Sequence, residues 1–205
     1  MLTTDKAIST PEYWNSLYRG ERNNATVDSS NGVRPKQSFD RFDAVVKHAE
    51  GPKVLGVASG HAHIEKRIKA LHKDWEVYAS DQCKEAEIVS KYHPYLIQNA
   101  YNLSMHTKAI EDNYKNVDTI VETKWDIIIC TQALEYMEDL DRAMTEFKRV
   151  AKKFICTIPL GEMKSWSQLR IFNEDDFCNW LSNYGDIEVR ENYGELLLVK
   201  IKFND

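Results

Sequence analysis

Hydrophobic positions along the chain recur with two different periods, and the alternation between them predicts the fold. Phe39, Phe42, Val45, Val46 and Ala49 follow the three-and-four spacing of an amphipathic helix, with Ser38 placed as its N-cap and Gly51-Pro52 ending it. Beyond Pro52 the pattern changes to short apolar runs at Lys53 to Ala58, Trp75 to Ser80, Pro94 to Gln98, Trp125 to Cys130 and Phe154 to Ile158. Runs of this kind suit strands buried on both faces of a sheet. Helical segments separate them at Ile64 to Leu71 and Cys83 to Lys91, and after Asp139-Leu140-Asp141, where Ala143, Met144, Phe147 and Val150 share one face. Parallel strands are joined by crossover helices in this rhythm, so the fold class is α/β: a Rossmann-like, doubly wound, mostly parallel sheet.

The ends of the chain depart from that rhythm. Asn173 to Tyr184 reads as a helix bearing Phe177, Trp180 and Leu181, followed by strands at Ile187 to Val189 and Leu196 to Ile201. The short link Asn192-Tyr193-Gly194 between those strands predicts a C-terminal antiparallel hairpin. Asn102 to Lys124 is polar, yet Ile110, Tyr114, Val117 and Val121 keep helical spacing and predict one more helix. At the other end, Met1 to Thr10 is polar and reads as frayed. Pro11 to Tyr18 reads as a short helix opened by proline, and Gly20 to Lys36 as a loop and mobile lid. Residues 1–37 are thereby set apart, as a helix and loop closing over the binding site, from an α/β domain at 38–205.

Composition narrows the function classes. With 205 residues, 42% of them hydrophobic, the chain has the length of one domain and the means to build a sizeable core. The formal charge of −5 argues against nucleic acid or an anionic membrane as partner. The chain opens with no charged-then-apolar leader, and its apolar runs are too short to span a bilayer. Cys83, Cys130, Cys156 and Cys178 form no CxxC pair and read as buried thiols, so the expected location is the reducing cytoplasm. His61 and His63 are two apart, a spacing that scatters them on a helix, and no metal site is expected.

In an open parallel sheet, ligands lie beyond the carboxyl ends of the strands. After the first strand come Ala58-Ser59-Gly60-His61-Ala62-His63, small residues at the start of a helix where backbone amides can approach a ligand. Asp81 and Gln82 follow the second strand. The acid stands about 20 residues downstream, the spacing at which a carboxylate accepts the hydroxyls of a ribose. Asn99 and Ala100 follow the third strand, and Thr131 and Gln132 the fourth. The first turn lacks the GxGxxG of a dinucleotide site, and no GK[ST] of a phosphate loop occurs in the chain. The pattern describes an adenosine crevice rather than a pyrophosphate cradle.

These motifs resemble those of the class I S-adenosylmethionine-dependent methyltransferases, especially the small-molecule group that includes ubiquinone- and menaquinone-biosynthesis-like enzymes. VLGVASGHA at Val54 to Ala62 is similar to the family's VLDVGCGxG, with Gly56 in place of the acid and Ala58 and Ala62 in place of glycines. WDIIICTQALEYMEDLDRAMTEFKRV resembles FDxVxxxxxLEHxxDxxxxLxExxRV, and Tyr13-Trp14 through Tyr18 resembles the YWxxxY helix that closes over the cofactor. The resemblance implies S-adenosylmethionine as cofactor, with contacts from Tyr18, Ala58, Ser59, Gly60, His61, Asp81, Gln82, Asn99, Ala100 and Thr131. It implies Tyr136, in place of the LEH histidine, as the candidate catalytic residue.

The expected reaction is SN2 methyl transfer to an oxygen or nitrogen of a small molecule, which needs alignment more than covalent help. Two other readings stand beside it. One is a catalytically inactive methyltransferase-like binding or scaffold protein, motivated by Gly56 and the two alanines; the other is a methyltransferase of protein or another large biopolymer. Individual residues also have plainer uses: Asp81 as a helix cap, Gly60 as a turn residue, and Tyr13, Trp14, Tyr18 and Tyr136 as packing groups.

Overall fold

The computed structural model describes residues 2–3, 10–19, 36–111, 118–161 and 168–205. Its elements are β1 (Leu2–Thr3), α1 (Pro11–Tyr18), α2 (Lys36–His48), β2 (Lys53–Gly56), α3 (His63–Leu71), β3 (Glu76–Asp81), α4 (Lys84–Ser90) and β4 (Tyr95–Ile97). There follow β5 (His106–Glu111), β6 (Asp118–Thr123), β7 (Trp125–Thr131), α5 (Leu140–Val150), β8 (Ala151–Pro159), β9 (Arg170–Ile171), α6 (Glu174–Leu181), β10 (Gly185–Asn192) and β11 (Leu196–Phe203). A single 3-10 turn, Leu134–Tyr136, links β7 to α5.

Seven strands form one sheet in the order β10-β11-β8-β7-β2-β3-β4. The run from β4 through β3, β2 and β7 to β8 is parallel, and β11 and β10 close the edge antiparallel. The strand order reverses between β2 and β7, which opens a crevice at their carboxyl ends. The central strands occupy that place because both their faces are apolar: Val54, Leu55, Ile127, Ile128, Ile129, Phe154 and Ile155 are at most 2% exposed. One face carries α5 and α6 through Met144, Phe147, Phe177 and Leu181, and the other carries α2 and α3 through Phe42, Val45, Ile64 and Ile68.

The helix starts follow local chemistry. Asp139 Oδ1 accepts the Arg142 amide at 2.9 Å at the head of α5. Asn173 Oδ1 accepts the amides of Asp175 and Asp176 at the head of α6, and Thr10 Oγ1 accepts the Tyr13 amide before Pro11 opens α1. The four cysteines are free, buried thiols. Among the described residues, no helix is long and apolar enough to cross a membrane.

Three expectations need correction. The helix predicted over Asn102 to Lys124 is an antiparallel pair, β5 with β6, in which Lys108 faces Val121 and Ile110 faces Thr119. Thr107, Ile110, Thr119, Ile120, Val121 and Thr123 are β-branched, and their preference for extended pairing outweighs the coincidental three-and-four spacing. Tyr114 and Val117, used for that spacing, lie outside the described residues. Helix α2 begins at Lys36, so Ser38 stands in its first turn rather than capping it. At the N-terminus, Leu2–Thr3 pairs antiparallel with Arg170–Ile171, whereas a frayed segment was expected. The lid expected from Gly20 to Lys36 lies outside the described residues apart from Lys36.

Candidate functional site

The carboxyl ends of β2, β3, β4 and β7 surround a cavity of about 340 Å³, which α1 borders with Thr10, Pro11, Trp14 and Tyr18. The turn after β2 forms one wall. Ala58, Gly60 and Ala62 all take left-handed backbone, with φ of 54°, 51° and 53°. The conformation that glycine adopts freely is therefore kept at two alanines, at the cost of backbone strain. At Gly60 an added Cβ would stand 2.7 Å from the Tyr18 hydroxyl, so the missing side chain lets Tyr18 of α1 pack against the turn in its present position.

Asp81 ends β3 and joins the walls. Its Oδ2 accepts the Gly60 amide at 3.2 Å and its Oδ1 the Cys83 amide at 3.0 Å, which ties the β2 turn to the entrance of α4. Asp81 is thus both a local brace and a cavity residue. Each carboxylate oxygen accepts one amide and retains acceptor capacity at the cavity wall. Burial pushes its pKa up, while the Cys83 and Gly60 amides pull against that shift.

Of the residues expected at the site, Tyr18, Ala58, Asp81, Gln82, Asn99, Ala100 and Tyr136 line the cavity. Ser59, Gly60, His61 and Thr131 do not. The Ser59 hydroxyl turns away to donate to Glu65 Oε1 at 2.7 Å. Gly60 sits behind Tyr18, and its carbonyl accepts the Tyr95 hydroxyl at 3.0 Å. The His61 ring stacks on His63 at 5.5 Å between centroids and meets Tyr18 edge to face at 5.8 Å. Thr131 is still inside the ladder, paired with Thr157, so Gln132 and Ala133 reach the cavity instead.

Sequence reasoning missed Gln98, Tyr101, Met137 and Glu138. Gln98 lies one position before the Asn99-Ala100 pair, and a window widened by one residue at that strand end would have found it. Its Oε1 accepts the Ser104 amide at 3.1 Å, while its Nε2 is buried with no hydrogen-bond partner. Buried polar groups are almost always paired, so this donor at the cavity wall is open to an acceptor from the cavity, whether water or ligand. Tyr136 meets Trp14 edge to face, centroids 5.1 Å apart, so α1 and the 3-10 turn after β7 share an aromatic wall. Among the described residues the lining holds two carboxylates, Asp81 and Glu138, and no Lys, Arg or His.

Two buried acids stand close behind the walls. Burial pushes Glu65 up to about 7 against the pull of Ser59, and Glu135 up to about 8 against that of Arg41. Between pH 4.5 and those values the folded chain holds protons that the unfolded chain has released, so stability falls as pH rises through this window. Thermal unfolding midpoints are expected to drop from pH 6 to pH 8.5, and Glu135→Gln should flatten that slope. Identical slopes in the two proteins would remove the assignment.

No protein-family model and no curated protein matches the chain. Solved structures do. The chain is similar to magnesium protoporphyrin IX methyltransferase of Synechocystis PCC 6803, with TM-score 0.67, 13% identity, and coverage of 95% of this chain and 98% of that one. It is similar to the N-methyltransferase NodS of Bradyrhizobium japonicum WM9, with TM-score 0.65, 11% identity, and coverage of 93% and 100%. A Pyrococcus horikoshii OT3 protein gives TM-score 0.64 and 15% identity over 92% of this chain and 99% of that one. In strand order, crossover pattern and C-terminal hairpin, this chain has the Rossmann-like fold of the class I methyltransferases.

Proposed function

We propose that this protein is an S-adenosylmethionine-dependent methyltransferase acting on an oxygen or nitrogen of a small molecule. The observation that carries the proposal is the buried Asp81 carboxylate, placed at the end of β3 on the wall of the switch-point cavity with acceptor capacity left for ribose hydroxyls. The Synechocystis and Bradyrhizobium enzymes of the same fold were both crystallised with S-adenosylhomocysteine, which supports the same cofactor here.

The residues present fit that cofactor. Asp81 would hold the ribose, Asn99 and Ala100 would flank the adenine, and the unmet Gln98 Nε2 donor suits a ring nitrogen. The strained Ala58 turn would face the methionine end, and α1 borders the site through Thr10, Pro11, Trp14 and Tyr18. When bound, the cofactor supplies an activated methyl group. What the chain supplies is alignment and exclusion of water.

The acceptor end is bordered by Trp14, Tyr101, Tyr136 and Met137, with Glu138 as its carboxylate. A flat, apolar acceptor without carboxylate or phosphate suits this lining, because among the described residues no Lys, Arg or His lines the cavity and the nearby Arg170 guanidinium is engaged by the Met137 and Glu138 carbonyls. An aromatic hydroxyl or amine of the kind handled by ubiquinone- and menaquinone-biosynthesis-like enzymes agrees with it. Tyr136 would position that acceptor, with Trp14 fixing its ring. The buried free thiols agree with a reducing compartment, the cytoplasm.

Calorimetric titration with S-adenosylmethionine and S-adenosylhomocysteine tests the cofactor; no binding of either at millimolar concentration would sink the proposal. Gln98→Leu is expected to weaken S-adenosylhomocysteine about tenfold, the worth of one buried hydrogen bond, with little change in unfolding midpoint. Wild-type affinity in that variant would take Gln98 out of the adenine contact. A methyl-transfer screen over phenols, amines and carboxylates should show activity in the first two classes alone.

A further inference from the structure

The turn after β2 is held by a carboxylate that no ligand would touch. Glu65, in the first turn of α3, is 3% exposed, and its Oε1 accepts the Ser59 hydroxyl. Ser59 Oγ in turn accepts the Ser80 amide of β3 at 3.2 Å, and the Ser59 amide donates to the Ser80 carbonyl at 2.9 Å. The neighbouring Gly60 amide reaches Asp81. A continuous set of contacts therefore runs from Glu65 through Ser59 to the two residues that end β3 at the cavity. Gly56 makes room for it: a Cβ at that position would overlap both Glu65 Oε1 and Ser59 Oγ. One small volume beneath the turn holds one carboxylate, which arrives from α3 because position 56 has no side chain.

We propose that Glu65 is a positioning residue of the cofactor site, supplying from α3 the buried carboxylate that the resembled first motif carries at position 56. The acid is relocated, not lost. It acts through Ser59. With its hydroxyl held by Glu65, Ser59 keeps Ala58 on the cavity wall and the Gly60 amide on Asp81, against the strain of the left-handed alanines. The serine and glycine of this chain's turn are thus matched to an acid nine positions beyond Gly56.

This inference rests on the cofactor assignment above, and one set of titrations separates the two. S-adenosylhomocysteine is titrated into wild type, Glu65→Ala, Glu65→Gln and the double variant Gly56→Asp/Glu65→Ala, with thermal unfolding of each. Glu65→Ala is expected to bind about tenfold more weakly, and Glu65→Gln, which keeps an acceptor for Ser59, within about threefold of wild type. The double variant returns an acid to the vacated volume and should recover to within about threefold. Gly56→Asp alone, added to the series, forces two acids into one place and should unfold at a lower midpoint than any of these four proteins.

Wild-type affinity in folded Glu65→Ala overturns the inference, as does a double variant that regains the wild-type midpoint but binds as weakly as Glu65→Ala. Should Glu65→Ala not fold, Ser59→Ala cuts the same link one contact nearer the cavity, and wild-type affinity there has the same force. Absence of binding to the wild type overturns the cofactor assignment and this inference with it. Binding to the wild type with unchanged variants overturns this inference alone.

Discussion

Asp81→Ala is expected to weaken S-adenosylhomocysteine binding by about 100-fold, the largest single effect on the proposed function. Two hydrogen bonds from a ribose to a charged acceptor, at about 1.5 kcal/mol each, account for that factor. The substitution also leaves the Gly60 and Cys83 amides without their acceptor, so the turn after β2 and the start of α4 loosen together. Asp81→Asn separates these contributions. Its single carbonyl can serve one of the two amides, so stability should fall less than in the alanine variant while affinity still drops at least tenfold. Calorimetric titration with parallel thermal unfolding checks both. A folded Asp81→Ala protein with unchanged affinity would end the ribose assignment.

Trp125→Ala should bring the largest loss of stability, about 4 kcal/mol, with an unfolding midpoint lower by roughly 10 °C. Trp125 opens β7 at 2% exposure. Its Nε1 donates to the Ser104 carbonyl at 2.9 Å, and its ring meets Tyr78 and His106 at 5.3 and 4.9 Å between centroids. His106 opens β5 and pairs with the Glu76 carboxylate of β3. Thr123, at the end of β6, accepts Lys53 Nζ from β2. The indole is therefore the pin by which the β5–β6 pair is fastened to the amino-terminal edge of the sheet. Seven residues of β7 place it roughly 20 Å from the cavity, at about 3.3 Å per residue. Below the midpoint, cofactor affinity should remain at the wild-type level; a midpoint within 2 °C of wild type would show that the pair is fastened by other contacts.

How far the chain could be read in advance depended on the range of the interactions involved. Runs such as Trp125-Asp126-Ile127-Ile128-Ile129 declare a buried strand locally, and Asp139 or Asn173 declare a helix start within three residues of themselves. Asp81 was legible because its position after a strand, at a known distance from the first turn, is a one-dimensional signal. The β5–β6 pair was not, because Ile110, Tyr114, Val117 and Val121 fall at helical intervals, and only the pairing of one strand with the other resolves the ambiguity. Thr131 was placed in the crevice by counting from the strand, yet its ladder continues one residue further, to Thr157.

The site shows the same division at finer grain. The sequence by itself determined the alternation of strand and helix, hence the parallel sheet, its ligand-binding end and the Asp81-bearing turn at its mouth, because each follows from local periodicity and spacing. It also showed that Gly56, Ala58 and Ala62 depart from the resembled motif. Only the tertiary structure decided what those departures mean. The alanines still adopt left-handed backbone, and the empty side of Gly56 is filled by Glu65 from the next helix. Trp14 and Tyr136, 122 positions apart, share one wall. Such contacts join residues that are distant along the chain, and close packing selects them by shape and hydrogen bonding in three dimensions, which no pattern along a single line records.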